Sequence, residues 1–334
     1  MKPAIKVLWL AIGVALVLGG VLAVAGFALG AHTVLYFTEE GIEFEEDLPT
    51  EDVHEATGQF QSVEISVDYG RLEFVVGRGS DDGLIAADGW GYEIVGRGPG
   101  TRPVEARYED DTLTMNTKGW GFRGIDLSGA FRPTPGIRIF VPAEAELANI
   151  QIDNVSGTTI LSDIRTDNLS LGSASGDIRL NDIEADHLRL NSLSGEVALA
   201  DLQLNILDVD IASGDVSIQR TAAQTMTVHM LSGSLKSTET STAVLNSDIA
   251  SGSLDFAGDI TEKASLQVLS GNLNLWLARP RAAYRFTVDQ ASGDVRIDDE
   301  PIDDPGVQGA TLRTPISIDT ASGDVDITFG TPEL

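Results

Sequence analysis

The chain contains no cysteine. That excludes structural disulfides, cysteine-ligated metals, thiol catalysis and a lipidated-cysteine anchor. Stability must therefore come from packing alone. Basic residues are scarce as well: 22 Lys and Arg stand against 51 Asp and Glu, giving a net charge of −29. A chain so acidic repels nucleic acid, whose affinity comes from Lys and Arg neutralising phosphates. It also disfavours lying flat on an anionic lipid surface. Only four histidines occur, His32, His54, His187 and His229. They form no metal spacing and no catalytic dyad, and no phosphate-binding glycine loop is present. Apolar residues make up 42% of the chain, enough to build a core. The acidic excess suits solubility, cation condensation or a high-salt setting.

One long apolar run stands out. Val7 to Ala31 carries no charged residue, and a spanning helix needs roughly 20 apolar residues. Lys2 and Lys6 precede it, and removing their two charges leaves −31 on the remainder. The positive-inside rule puts residues 1–6 in the cytoplasm and everything after about residue 32 outside. A cleaved signal peptide is the competing reading, with Ala28, Gly30 and Ala31 as a cleavage site, but its apolar region would be only about 7–15 residues long. The uncleaved anchor is the expectation. Residues 32–57 then read as an acidic stalk, because positions 39 to 55 hold nine acidic residues and no Lys or Arg.

A search for periodicity defines the fold. Ser-Gly recurs with its glycines at Gly157, Gly176, Gly195, Gly214, Gly233, Gly252 and Gly271, every step being 19 residues. Two more copies follow at Gly293 and Gly323, after steps of 22 and 30. Apolar residues keep register with these glycines. Seven and five before them stand pairs such as Leu169 and Leu171, or Leu188 and Leu190. Two and four after them stand pairs such as Ile178 and Leu180, or Val197 and Leu199. Alternation with period 2 is a strand with one buried face. Each unit thus reads as two short strands joined through a Ser-Gly bend, and only stacking buries their faces. The predicted fold is all-β: a single-stack β-solenoid with coils of about 19 residues, preceded by one N-terminal transmembrane helix. Nine coils at about 4.8 Å give a rod on the order of 40 Å long. Its open edges need covers. Residues 58–149 are expected to form an irregular β cap with the first coils, ahead of a solenoid over 150–330. The last two repeats would cover the other end. Two before the glycines, Val155, Ala174, Leu193, Ala212, Leu231, Ala250 and Leu269 alternate large and small. They are expected to interdigitate as core layers.

The run IRIFVPAEAELANIQIDNVSGTTIL, residues 137 to 161, and Ala-Ser-Gly-Asp at 174–177, 212–215, 291–294 and 321–324 resemble the bacterial putative adhesin family. In that family a strand ending in Val-Pro leads into Ser-Gly-Asp β-solenoid units. The resemblance spans roughly residues 60 to 330. It implies surface adhesion and brings no catalytic residues with it.

Three groups of residues invite a chemical reading. Asp177, Glu196 and Asp215 follow Ser-Gly in consecutive coils, so stacking would set their carboxylates about 5 Å apart. They read as a solvated turn face with local backbone hydrogen bonds, or as a Ca²⁺-binding column of oxygen ligands. Trp90 and Trp120 each sit in Gly-Trp-Gly. They read as plugs for the open end, or as indoles that stack on sugar rings. The nine repeat glycines read as structural. No cofactor is expected. The expected function is a membrane-anchored, extracytoplasmic, non-catalytic adhesin-like module that binds an envelope protein or polysaccharide. The alternatives are a β-helix polysaccharide-active enzyme and an envelope-sensing partner of a membrane signalling protein. Short regular coils leave little chain for the loop walls that an enzyme cleft needs.

Overall fold

A computed structural model describes residues 34–38, 41–44, 51–55, 59–95, 104–117, 124–126, 136–302, 307–308 and 313–330. The chain divides into two compact units. The smaller contains a three-stranded antiparallel sheet in the order Gly41–Phe44, Val34–Thr38, Gly124–Asp126. Part of the expected stalk is therefore strand. Thr38 pairs with Gly41 across a two-residue connection, which is hairpin length. Glu51–Glu55, also expected as stalk, belongs to the large sheet of the second unit. The expected span over residues 7–31 lies outside the described residues. Among the described residues no helix is long and apolar enough to cross a membrane.

The larger unit is a β-solenoid. Its coils pair in parallel, in register, at the 19-residue step: Ile178 with Val197, Val197 with Val216, Val216 with Leu235. Leu188, Leu207 and Met226 form a second such column, and all three are buried. The strand Glu146–Ser194 runs unbroken for 49 residues because ladder bonds persist around the corners. Each coil has three sides rather than two strands. The corner missing from the sequence reading lies six residues after the glycine. There Asp163, Asp182, Asp201, Arg220 and Glu239 adopt left-handed φ angles of 60°, 56°, 57°, 45° and 52°. Asp tolerates that conformation better than most residues. Immediately after the corner Ile164, Ile183 and Leu202 turn inward, and they close the third side. At one such corner Arg220 grips Asp201 with two N–H···O bonds of 2.7 Å. The guanidinium holds the Asp201 carboxyl below the usual carboxylate range.

The Ser-Gly bend needs glycine for two reasons. Gly214 has φ 143°, outside the range of L side chains, and a Cβ there would overlap the carbonyl oxygen of Gly195. The same overlap recurs from Gly157 to Gly271, each glycine meeting the carbonyl of the glycine one coil earlier. The column extends beyond the Ser-Gly series. Gly157 meets the carbonyl of Gly70, so residues 62–76, within the expected cap and first coils, supply two strands of a layer that stacks on the first Ser-Gly coil.

Both ends depart from sequential stacking. Thr314–Ser322 lies between the Gly271 coil and Tyr284–Gln290, pairing Ile316 with Ala264 on one side and with Phe286 on the other. The spatial order is thus Gly271, Gly323, Gly293: the last two repeats are exchanged. The longer steps of 22 and 30 residues supply the chain for this detour. The other end mirrors it. Val63 pairs with Ile150 of the first coil and with Leu113 of the outermost layer. Antiparallel partners then flank the outermost strands: Val104–Glu109 beside Thr112–Thr117, and Val307–Gln308 beside Tyr284–Gln290. These short antiparallel strands blunt the edges. Tyr284, Phe286 and Phe329 cluster at the C-terminal end, with ring centroids 5.9 to 6.1 Å apart.

Gly214→Ala is expected to cost about 3 kcal/mol or more, because strain and overlap add. Ser213→Ala beside it is expected to stay within about 0.5 kcal/mol; chemical denaturation of both variants checks this. The exchanged order also predicts an inverted protection pattern in hydrogen exchange. Amides of 316–322, although near the C-terminus, exchange more slowly than those of 284–290, because their layer has neighbours on both sides.

Candidate functional site: an apolar groove along the coils

The inward positions seven and five before each glycine continue, by strand parity, to the position three before it. Ile211, Met230, Ile249 and Val268 occupy that position and are buried. The residue two before the glycine consequently points outward. The expected core layers are therefore surface: Leu193 is 63% exposed, Leu231 66%, Leu269 54% and Val155 49%. One residue of register decides this, and the parity of the inward positions carried the signal.

Val155, Leu193 and Leu231 form one wall of a groove of about 700 Å³ that runs along the coils from Asp153 to Ala250, and Leu269 continues their column beyond it. Asn154, Ser173, Ser192, Ile211 and Met230, three before the glycines, form its floor. The other wall stands four before the glycines and includes Asp153, Asn191, Asp210, His229 and Asp248. No Lys or Arg lines it. Ala174, Ala212 and Ala250 notch the apolar wall between the large residues. Large residues recur every second coil, which is about 9.6 Å at the spacing of paired strands. Four large aliphatic side chains aligned and more than 40% exposed are unusual on a soluble surface.

A second concavity, about 670 Å³, follows a different corner and is lined by Arg165, Glu184, Asp186, Gln203 and Asn205 among others. Its polar groups satisfy one another between coils. Arg165 lies 3.5 Å from Glu184, and Asn205 donates to Asp186 at 2.7 Å. It is a solvated ladder face.

Two of the three carboxylates after Ser-Gly, those of Asp177 and Asp215, serve the backbone. Asp177 accepts from the Glu196 N–H at 3.3 Å and pairs with Arg179 at 3.0 Å. Asp215 accepts from the Ser234 N–H at 3.0 Å. These bonds link one coil to the next at the bend. Among the described residues no group of three or more His, Asp or Glu gathers to hold a metal. Trp90 packs edge-on against the buried Phe60, with ring centroids 4.6 Å apart, in the manner of a plug. Trp120 lies outside the described residues. His187 bonds Asp208 at 2.9 Å and His54 stacks on Tyr92; among the described histidines His229 lines the groove.

A family model described as Toastrack DUF4097 matches residues 104–328. No curated protein matches the sequence. Among solved structures, a putative adhesin from Parabacteroides merdae superposes with a TM-score of 0.50 at 13% identity, covering 84% of this chain and 96% of that one. A putative adhesin from Bacteroides fragilis gives 0.41 at 15% identity, covering 84% and 98%.

Leu231→Glu is expected to change stability by less than about 0.5 kcal/mol, since the side chain already meets water. Met230→Glu, one residue away, buries an unpaired charge and is expected to cost several kcal/mol. Thermal melts of the two variants test the register.

Proposed function

The chain belongs to the Toastrack DUF4097 family, and from that premise we propose that it is a membrane-tethered, extracytoplasmic contact module without catalytic chemistry, which engages its partner through the apolar groove. The observation that carries this reading is the exposed column of Val155, Leu193, Leu231 and Leu269 on a rigid stack. A solenoid could have placed polar residues there, as it does at most other outward positions. The parts of an enzyme cleft are not what the groove offers: an apolar wall and a mixed floor face a row of Asp, Asn and His, and no Lys or Arg lines it. The adhesin name of the solved relatives agrees with a surface-contact role. The tether is the uncharged run Val7 to Ala31 behind Lys2 and Lys6, and orientation follows from those two lysines.

The absence of cysteine makes the topology directly testable. Ser241→Cys, exposed on the polar corner, is expected to react with a membrane-impermeant maleimide in intact spheroplasts. Ala4→Cys is expected to react only after permeabilisation. Labelling of position 4 but not 241 in intact spheroplasts would reverse the orientation and sink the proposal.

A further inference from the structure

The geometry points to a second copy of this chain as the occupant of the groove, docked antiparallel about a two-fold axis that passes between the Gly214 and Gly233 coils. This rests on the reading of the groove as a contact surface and names its partner.

The case is one of complementarity. An axis perpendicular to the coil column reverses the order of coils while keeping each flank of the groove on its own side. Placed between the Gly214 and Gly233 coils, it sets every large residue of the column opposite a small one. Leu231 meets Ala212, and Leu193 meets Ala250. Farther out Leu269 meets Ala174. At the rim Val155 meets Ala321, because the Gly323 coil follows the Gly271 coil in space. Had the repeats stacked in chain order, Ala291 would have stood in that place. A column alternating in size over coils of constant rise is a ridge with notches, and this axis drops each ridge into a notch.

Charge obeys the same axis. The acidic residues after Ser-Gly stand at Asp177, Glu196 and Asp215 and again, in the last two layers, at Asp324 and Asp294. Asp177, Glu196 and Asp215 face Asn272, Ser253 and Ser234, and Asp324 faces Thr158, all neutral. On the groove's polar wall Asp210 meets His229, and Asn191 meets Asp248. Like charges meet only at the outer end, Asp153 with Asp319. For a chain of net charge −29, this axis lets the surface face its own copy with acid meeting acid on these two columns at Asp153 and Asp319 alone. A parallel dimer, with its axis along the leucine column, would instead set each leucine against a leucine.

The test uses full-length chains co-solubilised from membranes in detergent. Leu193→Cys and Ala250→Cys are prepared separately and both positions are exposed or half-exposed. On the proposed axis residue 193 of one copy faces residue 250 of the other. Two copies of residue 193 lie three coils apart, about 14 Å, beyond disulfide reach. Mild oxidation of the mixture should give a disulfide-linked dimer at about tenfold the yield of either variant alone, and Leu231→Glu added to both chains should lower that yield about tenfold. The yield should also rise between about 50 and 500 mM NaCl, because salt screens the repulsion between acidic copies; a cationic partner in the groove would show the opposite dependence. Equal yields from the mixture and from Leu193→Cys alone would overturn the proposal. So would a missing disulfide. If the disulfide is missing while wild type, but not Leu231→Glu, still retains an envelope protein or glycan, the contact-surface reading survives and self-association falls. If neither difference appears, both fall.

Discussion

The fold depends on how closely one coil can approach the next at the Ser-Gly bend. There the backbone of each coil runs directly over the carbonyl oxygen of the glycine beneath, leaving no room for a Cβ at Gly176, Gly195 or Gly252. Ladder pairing fixes the rise at about 4.8 Å, and the bend must respect it in every layer. A glycine that slipped by one residue would collide with its neighbour below and would carry its whole strand to the wrong face. The glycine column therefore holds the 19-residue period constant, and the constant period lines up Leu188, Leu207 and Met226 as an uninterrupted interior. The Asp177 and Asp215 carboxylates reinforce the same joint by accepting backbone N–H groups from the next coil.

A stack held this way has a problem at its ends, where ladder groups would template further strands. The chain solves it by weaving. At each end a segment is inserted as the next-to-last layer, so that the outermost layer is tied to the stack by chain on both of its sides. The aromatic residues gather where the interior would otherwise open: Tyr284, Phe286 and Phe329 at one end, Phe60 with Trp90 against it near the other. Arg279 lies over the Tyr284 ring and bonds Asp259 at 2.6 Å, fastening the last corner.

The solenoid, its period and its inward columns were legible in the sequence because they repeat: six equal steps align any property that depends on position within a coil. What did not repeat, or repeated under a different residue type, was hidden. Gly70 anchors the first layer but is preceded by Tyr69 rather than Ser. The left-handed corner uses Asp three times and then Arg220 and Glu239, so no single motif marks it. The exchange of the last two layers is long-range topology, and spacing alone shows only that extra chain is available. The groove is hidden for a simpler reason. Val155, Leu193, Leu231 and Leu269 are apolar and so resemble core residues, yet parity places them outward: counting by twos from Leu188 and Leu190 reaches Ser192, not Leu193. The sequence leaves the carboxylates after the glycines open to two readings, a turn face or a cation column, because backbone partners such as those of Asp177 and Asp215 lie one coil away.

An exposed apolar column on a repeating surface carries a specific hazard. Translation along the stack reproduces the pattern every two coils, so a partner docked in parallel could slide by one such step and leave a fresh sticky end, the route to open-ended assembly. Size alternation alone does not remove that hazard, because every second register fits equally well. Charge placement does. Acidic residues after the bend occupy the Gly176, Gly195 and Gly214 coils, whereas the next three carry Ser or Asn, which breaks the translational symmetry while leaving one two-fold arrangement intact. Sliding by two coils from that arrangement sets Asp215 or Glu196 against another carboxylate. The large net charge then opposes every contact that lacks this match, and the short antiparallel strands at the woven ends blunt the edges. A surface that is sticky, periodic and acidic can in this way be confined to a closed pair.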